Sequence, residues 1–404
     1  MTFCKPPGRP EVGANRMTGE VRILALFGGM ARLGSERANL EALTALREGG
    51  ACVRLLVSDA SWAEEIRQDV VARGFEIRQC PYLLLPRPER RFNPLLVYPG
   101  IIVRASVILW QEIRRFRPTH IYTSSQLFVL NFLPALALTG TPLVYRCGDQ
   151  PILHSLLFRG IWRFISRRAQ TVVAVSAFIA DRLVESGVPR GRIRVIYARP
   201  PTRLVAKKAT RQRSAGFTFA FIGQINEAKG CGLLINAFRL VLESHADARL
   251  VIAGRISDWE GDSWARALRD RVSADPRLAG AVTFPGFVED VATLLSNCQI
   301  VVAPTITEEP LANVVMEAKL AGLATIIFPS GGLPETIEHG VDGYICRDRT
   351  VEALREALAW YIEHREAAAP QGRAARRSLR RLGVDRFVDH WKHAIGEPVE
   401  EPVA

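Results

Sequence analysis

The sequence contains no CxxC pair, no DxD and no apolar run long enough to span a bilayer. Each absence excludes something. Seven cysteines, odd in number and scattered, argue against a disulfide framework and against a zinc site. The longest apolar stretches, near 95–110 and 127–138, are broken by Arg104, prolines or polar residues before the roughly 18 to 20 positions that a span requires. The opening "MTFCKPPGRPEVGANRMTGE" has no apolar leader core, so residues 1–20 read as a loose tail on a cytoplasmic protein. Helix-turn-helix, zinc-finger and RNA-binding sheet patterns are also missing, and no nucleic-acid partner is expected.

What is present is charge of uneven distribution. Residues 1–200 carry 28 basic and 15 acidic side chains, a balance of +13; residues 201–404 carry 25 and 26, a balance of −1. Only 6 of the 53 basic residues are lysines. The excess is either ordinary arginine-rich surface or a means of meeting something acidic, such as an anionic membrane or an acidic acceptor.

A chain of 404 residues suits two domains of about 150 to 200 residues each. In the first half "VRILALF", "CVRLLV", "THIYTSS", "PLVYRC" and "TVVAVS" alternate with helical stretches; in the second, "FTFAFIG", "ARLVIAG", "AVTFPG", "QIVVAP" and "LATIIFP" do the same. Strand then helix, repeated, predicts an α/β fold with parallel sheets covered on both faces. The basic, aperiodic stretch at 198–214 contains the expected linker, 201–214, between a first domain at 21–200 and a second at 215–404 that includes the C-terminal helices. Ligands of such sheets bind beyond the carboxyl ends of the strands. The arginine-rich "GRAARRSLRRLG" near 372–383 reads as a solvated helix face.

One segment places carboxylates oddly. "TEEPLANVVMEAKLAG", 307–322, predicts a helix opened by Pro310, with Glu309 in the cap and Gly322 at the stop. At 100° per residue Glu317 projects near Val314 and Ala321 while Lys319 lies nearly opposite, so Glu317 is off the obvious solvated face. A carboxylate among apolar neighbours needs hydrogen-bond donors, and the two hydroxyls of a ribose are suitable ones. Eight positions along one helix would separate Glu309 and Glu317 by roughly 12 Å. That is too far to flank one glycosidic bond and suits the two ends of a larger ligand.

From Phe219 to Cys346 the second half resembles the retaining glycosyltransferases of family 4 (glycosyl transferases group 1), the family that includes sucrose synthase and bacterial mannosyltransferases. Glu309 and Glu317 match its two glutamates, and "FIGQINEAKG", "VTFPGFVEDVATLLSNCQIVVAPT" and "GLATIIFPSGGLPETIEHGVDGYIC" follow its order. In the first half "GSERANLEALTALREGGACVRLLV" and "TVVAVSAFIADRLVESGVPRGRIRVIYARP" resemble its opening and closing units. A nicotinamide dehydrogenase loses its fingerprint, because Met30 occupies the second glycine of a GxGxxG in "FGGMARLG".

The resemblance implies a GT-B fold, two Rossmann-like domains facing each other across a cleft, the first binding acceptor and the second a nucleotide-sugar. It implies donor contacts from Gly223, Gln224, Lys229, Glu309, Leu311, Ala312, Asn313 and Glu317, with Lys229 on the diphosphate, Glu309 on the sugar hydroxyls and Glu317 on the ribose. An acceptor-side loop would include Gly28, Gly29 and Gly34. A departing diphosphate calls for positive charge and backbone N–H groups rather than covalent work, which fits a lysine and a helix start. Three departures stand out. Gln224 replaces the usual arginine, "EGFG" becomes Glu309-Pro310-Leu311-Ala312, and "YRCGDQP" replaces a histidine-bearing strand end, leaving Asp149 or His154 as the acceptor-side catalytic candidate.

The expected activity is therefore transfer, with retention, from a UDP- or GDP-sugar to a glycan or lipid-linked acceptor of the bacterial envelope. No cofactor or metal is expected, and peripheral contact with an anionic membrane is. The alternative is a relic that binds glycan or nucleotide without transfer.

Overall fold

A computed structural model of the chain describes residues 20–28, 34–58, 64–81, 94–201, 216–255 and 261–397. It divides into two compact units, Met1–Ala174 with Ala180–Ile196 and Phe387–Ala404, and Val175–Ile179 with Tyr197–Arg386. Among the described residues no helix is long and apolar enough to cross a membrane.

The first sheet and its helices run β1 (Arg22–Phe27), α1 (Gly34–Glu48), β2 (Cys52–Ser58), α2 (Glu64–Ala72), β3 (Glu76–Cys80), α3 (Pro94–Phe116) and β4 (His120–Thr123). They continue with α4 (Gln126–Asn131), α5 (Leu133–Leu138), β5 (Leu143–Cys147), α6 (Leu156–Arg168), β6 (Ala169–Ala174), α7 (Ala177–Glu185) and β7 (Ile193–Val195). The strand order is β3-β2-β1-β4-β5-β6-β7. Every pairing is parallel, as in Ile23↔Val53 and Ile23↔His120. Strands buried on both faces are apolar throughout rather than alternating, which is why "RILALF" and "TVVA" are so plain in the sequence.

The second unit contains β8 (Thr218–Ile222), α8 (Cys231–Val241), β9 (Arg249–Ala253), α9 (Gly261–Ala274), α10 (Pro276–Ala279), β10 (Val282–Gly286), α11 (Val291–Ser296) and β11 (Ile300–Ala303). After them come α12 (Asn313–Ala321), β12 (Ala324–Ile327), β13 (Gly343–Ile345), α13 (Val351–Glu363) and α14 (Arg365–Ser378). Its parallel sheet is ordered β10-β9-β8-β11-β12-β13. The direction of winding reverses between β8 and β11. Connections leave those two strands in opposite directions, which opens a crevice at their carboxyl ends.

One expectation changes here. The last helix, α15 (Phe387–Ala394), belongs to the first unit and not to a second domain running to 404. Its stripe of Phe387, Trp391 and Ala394 joins the core made by Leu40, Leu43 and Leu46 of α1, with the Trp391 ring 5.9 Å from Tyr122. The expected linker, 201–214, lies outside the described residues apart from Pro201. Among the cysteines, Cys80, Cys147, Cys231, Cys298 and Cys346 are buried and outside any disulfide, whereas Cys52 is disulfide-bonded. Arg373, Arg376, Arg377 and Arg380 are exposed, as a solvated arginine face requires.

Candidate active site

The crevice between β8 and β11 is bordered by the loops that follow those strands. After β8 the chain runs through Gly223 and Gln224 to Lys229, and Gly230 begins α8 from a left-handed conformation (φ 76°). A Cβ on Gly230 would stand 2.0 Å from the Pro304 carbonyl oxygen, so only glycine lets this loop lie against the one after β11. The two loops are also joined by the Ile306 N–H, which donates to Ala228 O at 2.9 Å. Beside them a cavity of about 380 Å³ is lined by Glu227, Leu233, Trp264 and Ile306, among others.

At this junction the Lys229 ammonium donates to the Glu309 carboxylate. Lys229 is about one third exposed and Glu309 mostly covered. The structure thus brings together the two residues to which the sequence assigned the diphosphate and the sugar. The loop carrying Glu309 is in turn fastened to residues 329–332. Ser330 Oγ accepts the Glu309 N–H at 3.1 Å and donates to Thr307 O, while the Gly332 N–H donates to Glu309 O at 2.8 Å. Gly331, at φ 52°, sits so near that a Cβ would lie 2.2 Å from Glu309 O.

Beneath this lies a second fastening that sequence reasoning did not assign. Arg349 donates to Ile306 O at 2.6 Å, to Pro329 O at 2.7 Å and to Glu308 Oε1 at 2.7 Å, and Glu308 Oε2 accepts the Gly331 N–H at 2.7 Å. One planar guanidinium therefore spans both loops. The paired glycines of "PSGGLPE" were the available signal, since a backbone approach this close requires them.

The expected helix start is corrected. α12 begins at Asn313 with Ala312 as its N-cap, so Pro310 and Leu311 lie in the preceding loop. Glu309 commits its backbone N–H and carbonyl to Ser330 and Gly332 and cannot cap a helix. Glu309 and Glu317 therefore do not share one helix, and the separation derived from that assumption lapses. Glu317 is buried at 3% exposure, as expected of a residue off the solvated face. Lys319, opposite it, is buried too, and donates to Asp342 at 2.8 Å and Ser378 at 2.9 Å. α14 covers the side that periodicity left to solvent. Gln224 is half-buried at the end of β8.

Glu335 is a further residue the sequence did not single out. Its carboxylate accepts the Ala177 and Phe178 N–H groups at 2.7 and 2.6 Å and the Tyr197 hydroxyl at 2.8 Å, capping the first turn of α7. Burial, and then the hydrogen bond to Glu335, push the Tyr197 hydroxyl above its ordinary pKa.

The acceptor-side candidates belong to the first unit. Gly28 is buried at the end of β1, Gly34 is the exposed first residue of α1, and Gly29 lies outside the described residues. Asp149 accepts the Gln150 N–H at 2.7 Å. His154 is exposed against Phe158, ring centroids 5.5 Å apart. Among the described residues no group of three or more His, Cys, Asp or Glu is arranged to hold a metal ion.

Two family models match the chain. Residues 34–198 match Glycosyltransferase Family 4 and residues 216–364 match Glycosyl transferases group 1. Spore coat protein SA of Bacillus subtilis is 36% identical over 134 residues, 32% of this chain and 34% of that protein. A putative colanic acid biosynthesis glycosyltransferase, WcaL of Escherichia coli, is 24% identical over 204 residues, 49% of this chain and 48% of that one. The chain thus spans about a third to a half of these relatives' lengths. Among solved structures, Anabaena HepE in complex with UDP and glucose superimposes with a TM-score of 0.73 at 19% identity, covering 94% of this chain and 100% of that one. That likeness establishes the GT-B fold.

Proposed function

Because the chain belongs to the GT-B glycosyltransferases, with a family model over each half, we propose that it transfers a sugar from a nucleoside-diphosphate donor to a glycan or lipid-linked acceptor in envelope polysaccharide or glycolipid assembly. The observation that carries this reading is the Lys229–Glu309 pair at the reversal point of the second sheet. The similarity to a UDP-binding structure and to a colanic acid enzyme supports it.

In this reading the ammonium exchanges its carboxylate partner for the donor diphosphate, and Glu309 turns its freed oxygens to the sugar hydroxyls. Charge developing on the departing phosphate meets Lys229 and the N–H groups at the start of α12, where a fixed donor contributes most. Glu317, being largely enclosed, offers the ribose one edge. No side-chain nucleophile is invoked, which accords with transfer on the same face of the sugar and retention of configuration. The positive charge comes from the protein, so no metal is required. A lipid-linked acceptor would bring the enzyme to an anionic membrane as a peripheral protein.

The test is release of free nucleoside diphosphate from UDP- and GDP-sugars without acceptor, with and without EDTA. Slow hydrolysis of one donor, unaffected by chelation and lost in Glu309→Gln, is expected. Gln224 in place of arginine gives the rival reading its footing, a relic that binds without transfer. Binding with no turnover of any donor would establish that rival.

A further inference from the structure

We infer that Arg146, a buried guanidinium at the carboxyl end of β5 with no carboxylate paired to it, is the receptor for an oxyanion, a phosphate or carboxylate group borne by the acceptor, a step that rests on the transferase reading and names the class of its acceptor. β5 lies between β4 and β6, and Arg146 pairs with Val173 of β6. Val173, Val144 and Tyr122 all belong to the core closed by Leu40 and Leu43 of α1, so Arg146, two residues on from Val144, points to the same α1-covered face. Its head group reaches past the strand, since a Cβ on Gly148 would stand 3.1 Å from Arg146 Nη1. Glycine at that position leaves the guanidinium room at the carboxyl edge, where the ligands of parallel sheets bind.

Arg146 is 5% exposed, yet its hydrogen bonding is thin. Nη1 donates to Asn39 Oδ1 at 3.3 Å, and that same oxygen already accepts the Tyr122 hydroxyl at 2.7 Å. A guanidinium has five N–H donors and stays charged, so one shared amide oxygen leaves most of its capacity unused. Burial pulls the Arg146 pKa below its ordinary value, opposed by Tyr122 and Cys147, and no carboxylate is among the groups that act on it.

The first unit does not leave its other covered arginines in this state. Arg54 meets Glu76 at 2.7 Å and Glu112 at 3.0 Å, and Arg73 meets Glu41 at 2.9 Å and Asp69 at 3.0 Å. Asp149, the acid nearest to Arg146 in the sequence, accepts the Gln150 N–H instead. A buried charge without a counter-ion opposes folding, and a ligand that brings the missing charge gives it a purpose. An oxyanion supplies that charge together with two oxygens that match the planar fork of the guanidinium. On an acceptor sugar the group would be a phosphate ester or a uronic acid.

The full chain and its Arg146→Met variant would be titrated calorimetrically, at one ionic strength, with glucose 6-phosphate, glucuronate, inorganic phosphate and glucose. The sugar phosphate or the uronate should bind and glucose should not, and Arg146→Met should weaken that binding about 10- to 150-fold, the effect of losing a charge-assisted bond. Whichever of the two binds identifies the group. Binding unaffected by Arg146→Met, as for anions held elsewhere on this basic unit, or no binding of any anion, would overturn the assignment. Binding of inorganic phosphate alone would make this a site for a free ion and overturn the acceptor origin. Urea unfolding without added anion separates a binding site from a brace. Arg146→Met should unfold at the parent's midpoint or above it, because it removes a charge that had no counter-ion; a clear drop would show that Arg146 serves to hold Asn39 in place and would overturn the proposal. Hydrolysis of nucleotide-sugars by the parent chain reports separately on the transferase reading, because the four titrations contain no donor.

Discussion

Arg349 and Gly331 are coupled through one carboxylate: Glu308 takes a 2.7 Å hydrogen bond from each, and the same guanidinium holds the Ile306 and Pro329 carbonyls. Glu309 is the next residue, so its position depends on this fastening rather than on a helix. Arg349→Ala should leave nucleoside-diphosphate affinity within about threefold while lowering donor turnover about 10- to 100-fold, the scale of an ångström of misplacement. Arg349→Lys should not restore it, because an ammonium cannot span the carbonyls and the carboxylate together. Equal losses in affinity and turnover would mean that the loop merely unfolds.

The alternation of strand and helix was legible because both sheets are parallel and their central strands, such as β1, β8, β11 and β12, are apolar on both faces. Partners were not. The stripe of α15 announces a buried face, but periodicity does not say against which unit it is buried. Pro310 looks like a helix start by every local rule, yet Ser330 and Gly332, some twenty residues on, claim the backbone of Glu309 first. Lys319 looked solvated for a similar reason, since Asp342 and Ser378 reach it only in the fold. Local sequence therefore singled out Glu309 and Lys229, which the fold brings into contact, and missed what holds them.

The Lys319–Asp342 pair gives a stability prediction. Both side chains are almost fully buried, and Asp342 also accepts the Glu338 N–H at 2.7 Å. Lys319→Met should leave the buried Asp342 carboxylate with only the half-exposed Arg381 guanidinium, 3.8 Å away, as its cationic partner and cost about 3 to 5 kcal/mol in urea unfolding. Adding Asp342→Asn should recover part of that loss. A Lys319→Met variant as stable as the parent would show that the pair contributes nothing net.

The free thiols give a pH prediction. Burial pushes Cys147, Cys298 and Cys346 up to about 12. In an unfolded chain a thiol titrates near about 8.5, so the unfolded state loses its protons first as pH rises. The stabilisation these thiols provide is complete below about pH 8.5 and declines as pH climbs from there towards 12. At pH 8 a thiol reagent should label none of the three in the native protein and all three in denaturant. Rapid native labelling of Cys298 would contradict its burial.

The donor site is best dissected with three substitutions and three ligands. Lys229→Ala removes a charge-assisted contact to the diphosphate worth about 1.5 to 3 kcal/mol, so UDP or GDP should bind about 10- to 150-fold more weakly. The free nucleoside, which lacks the diphosphate, should bind as before. Glu317→Ala should weaken nucleoside and nucleoside diphosphate alike, because both carry the ribose. Glu309→Ala should weaken neither and should depress turnover of the complete nucleotide-sugar, since its partner is the sugar itself. This last variant also separates two effects of the ion pair. If Lys229 is held back by Glu309 in the empty site, releasing it should tighten nucleoside-diphosphate binding even as turnover falls. Calorimetric titration of each variant with nucleoside and nucleoside diphosphate, beside turnover of the intact donor, reads all of these at once. Should Glu309→Ala and Glu317→Ala give one and the same profile, the two carboxylates would not divide the donor between them, and the assignment of sugar to one and ribose to the other would be lost.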